Sequence, residues 1–131
     1  MSLTSYVVDG VRRFMLFFHT TDDALTALKR TIDTKLIIPE EFCKATLKYQ
    51  ARYSQEASPD NPYYYPLKFY NKTNTQELWI SSVSAGYHGT GPQGTIKALE
   101  MMGFSLSYFQ KEKILNTQNI NMTIKKATKS K

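Results

Sequence analysis

The segment Ala85-Gly86-Tyr87-His88-Gly89-Thr90-Gly91-Pro92-Gln93-Gly94-Thr95 holds four of the chain's six glycines. Glycine lets backbone approach a ligand closely and adopt positive φ. Where such a run joins a strand to a helix, the first helical N–H groups and the helix dipole favour an anion. Thr90 and Thr95 add hydroxyl donors, and Lys97 follows one residue inside the helix. The expected chemistry is capture of a phosphorylated, nucleotide-like ligand, with Gly89, Gly91 and Gly94 giving backbone access and Tyr87 and His88 reaching the ribose or base. Gly89-Thr90-Gly91 followed by Gly94 spells G-x-G-x-x-G, but Pro92 lies inside it, and the Gly-Lys-Ser/Thr ending of a P-loop is missing. The same glycines also fit a plain turn that starts a helix.

Tyr87-His88-Gly89-Thr90, then Ile96, then Gly103-Phe104 resemble the first motif of diphtheria-toxin-type ADP-ribosyltransferases, over the stretch from Tyr87 to Phe104. The resemblance implies that His88 contacts the adenosine ribose of NAD and that Gly103-Phe104 ends the following helix. After Phe104, Glu112 is the one carboxylate available for the family's catalytic glutamate, and Tyr108 comes too early for its second-motif tyrosine. What the resemblance carries over is the nucleotide-contacting loop, with an ADP-ribosyl enzyme using His88 as the least favoured of three readings. No catalytic residue and no cofactor is assigned.

The tyrosines are the second signal. Tyr63, Tyr64, Tyr65 and Tyr70 cluster in or beside one expected strand. Tyrosines left exposed there suit a protein interface. The alternative function is therefore an interaction module, an immunity or inhibitor-type factor, that meets a protein partner or its own copy through the Tyr63–Tyr70 strand and the glycine loop. Cys43 is expected as a small buried hydrophobe. One Cys and two His exclude a disulfide framework and a zinc finger.

The formal charge of +6 comes from seventeen Lys plus Arg against eleven Asp plus Glu. Residues 1–110 carry eleven basic and ten acidic groups, a net of +1; residues 111–131 carry six Lys and one Glu, a net of +5. The basicity is thus expected to belong to the C-terminal end and not to the body, with 126–131 a solvated tail, and nucleic acid is not the expected partner. Phe14 to Phe18 is too short an apolar run for a signal or a span, so a cytoplasmic protein without a membrane contact is expected. The Lys-over-Arg bias, with many Asn, Thr, Ile and Tyr, is that of an AT-rich coding genome, such as a low-GC bacterium or its phage.

Val11 to His19, apolar on both faces, predicts a central strand. Thr20 or Thr21 then caps a helix with Asp22 and Asp23 in its first turn and Leu25, Leu28 and Ile32 on one face. Pro39 predicts the start of a second helix presenting Phe42, Ala45, Thr46, Tyr49 and Tyr53. Ser54 to Pro62 reads as a loop. Tyr63 to Tyr70 reads as an edge or interrupted strand because of Pro66, with Tyr63, Tyr65, Leu67 and Phe69 on one face. Asn71 to Asn74 reads as a hairpin turn, and Gln76 to Val83 as the returning strand, with Trp79, Ser81 and Val83 opposite Leu78 and Ile80. A helix with Ile96, Leu99 and Met102 closes at Gly103, and Phe104 to Tyr108 restarts a strand. Ile114-Leu115 suggests a helical turn and Ile120 to Ile124 an edge strand. The expected architecture is one α+β domain over 1–125: a mostly antiparallel sheet of about five strands carrying two or three helices.

Overall fold

A computed structural model describes residues 2–49 and 65–126. The chain runs β1 (Ser2–Val8), β2 (Val11–Phe17), α1 (Thr21–Asp33), a short 3-10 turn (Pro39–Glu41), β3 (Phe42–Tyr49), β4 (Leu67–Asn71), β5 (Gln76–Ile80), α2 (Thr90–Met101), α3 (Tyr108–Asn116) and β6 (Ile120–Lys125). The fold is α+β with three helices. The sheet differs from expectation: it has six strands among the described residues, ordered β1-β2-β5-β4-β3-β6. It is also mixed, because β2 and β5 run parallel while the other pairs run antiparallel. No helix among the described residues is long and apolar enough to cross a membrane.

Side-chain alternation makes two unlike faces. One row across the sheet joins Phe14, Leu78, Phe69, Ala45 and Ile124; the next joins Leu16, Ile80, Leu67, Leu47 and Met122. All ten are buried, in one cluster with Ala24 and Leu28 of α1, Ala98 and Leu99 of α2, and Ile114 and Leu115 of α3. The three helices therefore cover this face, where burial of each large apolar side chain contributes about 1.5–3 kcal/mol. The opposite face is polar, apart from a small cluster of Met15, Phe17 and Tyr65 with half-buried Trp79 against it. There Trp79 stands between two cations, with Arg13 Cζ and Lys68 Nζ each 4.1 Å from its ring centre. Glu77 accepts from Arg13 Nε at 2.8 Å and from Trp79 Nε1 at 3.1 Å.

β2 is an interior strand and α1 starts as its sequence directs, with the Thr20 hydroxyl accepting from the Asp23 N–H at 3.1 Å. The Pro39 helix is overturned. Pro39 opens only the 3-10 turn, and Phe42 to Tyr49 form β3. The register shifts between Phe42 and Lys44, so a bulge adds one residue to an alternating strand. Phe42 and Ala45, three apart, then both face the core, which mimics a helical spacing. Cys43, at the bulge, is half-buried rather than buried.

The Phe104 strand is also overturned. Phe104 is buried, but 104–107 adopt no regular element. Ser107 then caps α3, its hydroxyl accepting from the Gln110 N–H while the Gln110 side chain accepts from the Ser107 N–H. This capping box ends any extended run. β4 lies between β5 and β3, not at an edge. Pro66 precedes it, and the alternation breaks there: Tyr65 packs on the polar side with Trp79, whereas Leu67 and Phe69 face the helices. Val83 likewise joins the helix-side core instead of the Trp79 side. Tyr53, the 54–62 loop, Tyr63 and Tyr64 lie outside the described residues, as do 127–131.

Candidate functional site

The glycine segment is mostly helix start. Gly89 is the N-cap of α2, and Thr90, Gly91, Gly94, Thr95 and Lys97 all lie within the helix. Gly91 and Gly94 are buried. A Cβ at Gly91 would run into Ser84 Oγ and stand 2.7 Å from the Tyr87 hydroxyl; one at Gly94 would run into Thr21 Cγ2. These glycines let the helix start press against the preceding turn and against α1. Thr95 is fully buried, and its hydroxyl donates to Ser84 O at 2.7 Å. Pro92, the third helical residue, removes one N–H from the set an anion would use. Tyr87, His88, Thr90 and Lys97 remain exposed. The Ser84 hydroxyl lies 3.2 Å from that of Tyr87. His88 Nε2 is 2.8 Å from Asn116 Oδ1. Because the Asn116 amide donates to Glu112 O and Oε1 at 2.9 and 3.0 Å, its oxygen is the acceptor and His88 Nε2–H is the donor. His88 thus ties the turn to the end of α3.

A second feature gathers more charge. At the end of the sheet where β4 stops and β3 begins, a cleft of about 1240 Å³ is lined by Lys35, Lys44, Lys72, Lys125 and Lys126 and by one carboxylate, Glu40. Each lysine comes from a different local cause. Lys35 follows α1 in a left-handed conformation, φ 61°. Lys72 sits in the β4–β5 turn. Lys44 stands at the β3 bulge, and Lys125 is its direct cross-strand partner. Like charges placed opposite one another in a sheet destabilise it. Among the described residues, the ion pairs are Arg13–Glu77, Lys29–Asp33 and Lys111–Glu100, so none of the five is neutralised by a carboxylate at contact distance.

Lys126 is the most constrained of the five. Its backbone N–H donates to Cys43 O at 3.0 Å and its Nζ to Pro39 O at 2.8 Å, with the Phe104 ring centre 5.0 Å away. Burial pushes its pKa below the ordinary lysine value, and Glu40 and Cys43 pull it partly back. Lys44 Nζ lies 5.0 Å from the Tyr70 ring centre. Ile32, Ile37, Phe42 and Met101 add apolar surface to the lining. Cationic walls with an apolar lining can hold the phosphates and the flat ring of one ligand.

The sequence-predicted residues split between these places. Tyr87, His88, Gly89, Thr90 and Gly91 sit together at the start of α2; Gly94 and Thr95 face inward; Lys97 lies further along on the solvent side. The five cleft lysines were not foreseen, being scattered from Lys35 to Lys126. Lys125-Lys126 was the available signal, hidden by reading the terminal charge as a solvated tail. No group of three or more His, Cys, Asp or Glu side chains suited to a metal occurs among the described residues. Compared with known proteins, the chain matches no family model, no curated protein and no solved structure.

Proposed function

We propose that the chain binds, without turning it over, a small phosphorylated ligand of the nucleotide class, and that the lysine cleft receives the phosphates. The observation that carries this reading is the gathering of five lysines around one concavity that has a single carboxylate. Lys44 and Lys125 are held opposite each other with like charge, and an anion between them converts that repulsion into attraction. The apolar part of the lining suits a ring, and the volume suits a mono- or dinucleotide. The glycine turn, with Tyr87, His88 and Thr90 exposed, is the competing location for the same ligand.

Isothermal titration with pyrophosphate, ATP, NAD and adenosine tests both. The phosphorylated ligands are expected to bind and adenosine to bind weakly. Lys72→Ala and Lys125→Ala are each expected to weaken binding about tenfold, the worth of one charged hydrogen bond. His88→Ala and Thr90→Ala are expected to leave it unchanged. The reverse pattern moves the ligand to the turn. No heat from any phosphorylated ligand at about 1 mM sinks the reading.

A further inference from the structure

Among the described residues, the two edges of the sheet are not alike. β6 presents Asn121, Thr123 and Lys125 to solvent in alternation, and an edge lysine discourages pairing with another chain. β1 has no such device. Its seven residues, Ser2 to Val8, include no charge and no proline. It pairs with β2 over its whole length without a register shift, so no bulge twists it away. Leu3, Val7 and Val8 are 38%, 57% and 38% exposed, and Leu36 and Ile38 beside them are 49% and 42% exposed. Leu3 shares one groove with Ala27 and Leu36, and Val7 shares the next with Leu36 and Ile38. A straight, uncharged edge with apolar neighbours is a template for another strand.

We propose that β1 pairs with β1 of a second copy of this chain, antiparallel about a two-fold axis midway between the two Ser5 residues, joining two sheets into one. The pattern is self-complementary. That axis places Leu3 opposite Val7 of the second copy, twice, and Ser5 opposite itself. These three residues lie on the helix side, since their β2 partners are Leu16, Phe14 and Arg12. The helix above the edge repeats the symmetry in charge. α1 presents Asp23, Thr26, Ala27 and Arg30 to the groove beside Leu3. The two-fold reverses α1 in the second copy, so the acidic first turn of one helix, with Asp23, runs toward the basic last turn of the other, with Arg30. A closed two-fold contact made by one patch is the commonest form of homodimer. This interface lies apart from the anion cleft and stands whether or not that cleft binds a ligand.

Sedimentation of the full chain over a concentration series tests it, with far-UV circular dichroism confirming that each variant is folded. Leu3 and Arg30 are exposed, so their replacement leaves the core intact. The wild type is expected to dimerise. Leu3→Lys is expected to abolish the dimer. Arg30→Glu, which sets Asp23 against Glu, is expected to weaken it at least about tenfold, and Asp23→Arg combined with Arg30→Glu to restore it. A wild type still monomeric at about 1 mM overturns the proposal. So does a dimer indifferent to Leu3→Lys, or a charge swap that fails to restore association.

Discussion

Gly94 and Thr21 show what the glycines near α2 are for. Thr21 donates its hydroxyl to Ser82 O at 2.6 Å, which fixes the side chain and leaves its methyl aimed at the Gly94 Cα. Any Cβ at Gly94 collides with that methyl, and Val83 Cγ1 stands 3.5 Å behind it. Overpacking of this kind costs about 1–3 kcal/mol. Alanine's better helix propensity offsets about 0.5–1 kcal/mol of that. Gly94→Ala is therefore expected to destabilise by about 1–2 kcal/mol in urea unfolding. Thr21→Ser removes the methyl and keeps the hydroxyl, so the double variant is expected to recover most of the loss. Equal loss in the single and double variants would refute the collision. A glycine demanded by packing no longer argues for a ligand, and this moves the anion reading from the turn to the lysines.

At the scale of elements, the cap of α1 is both local and testable. Thr20 satisfies the Asp23 N–H, and Asp22 and Asp23 complement the helix dipole. Thr20→Ala is expected to cost about 1 kcal/mol, read as a lowered thermal midpoint, while Thr20→Ser retains wild-type stability. Elements of this sort were legible in the sequence because their signals sit within a few residues: the apolar run of β2, the Thr20 cap, the Asn71–Asn74 turn and Gly103 closing α2. Elements were misread where a distant partner decides. The bulge at Cys43 gave Phe42 and Ala45 a helical spacing, and only pairing with β4 and β6 reveals a strand. Phe104 and Leu106 alternate like a strand, yet the Ser107–Gln110 capping box, readable in principle, commits the chain to α3. β1 went unnoticed because an edge strand that buries little needs no strong apolar pattern. The cleft lysines were illegible for the same reason at longer range: only the sheet order brings Lys72 near Lys126.

At the scale of the whole molecule, the excess positive charge is a cost that the folded state carries. Lys68 holds its ammonium over the Trp79 ring; burial lowers its pKa, Lys48 and Arg13 lower it further, and Glu77 opposes them. Lys126 is shifted the same way, chiefly by burial. A lysine whose folded pKa lies below its unfolded value binds fewer protons when folded. Its contribution is complete above 10.5 and is lost as pH falls through the folded pKa, so stability rises with pH in that window. The ligand-free protein is accordingly expected to gain thermal stability as pH rises through the lowered lysine pKa values, measured below pH 10 so that tyrosine ionisation does not intervene. Lys68→Gln is expected to flatten that rise. An anion in the cleft must show the opposite trend, because it binds the ammonium forms. At about 100 times its dissociation constant a ligand specific to the folded state adds about 2.7 kcal/mol. The added stability from pyrophosphate should be largest near neutral pH and shrink as the lysines discharge, whereas sodium chloride at equal ionic strength should give only a small, screening-type effect. A stabilisation equal for both salts, or one that grows with pH, would mean that the lysines act as a diffuse surface charge and that the cleft selects no ligand.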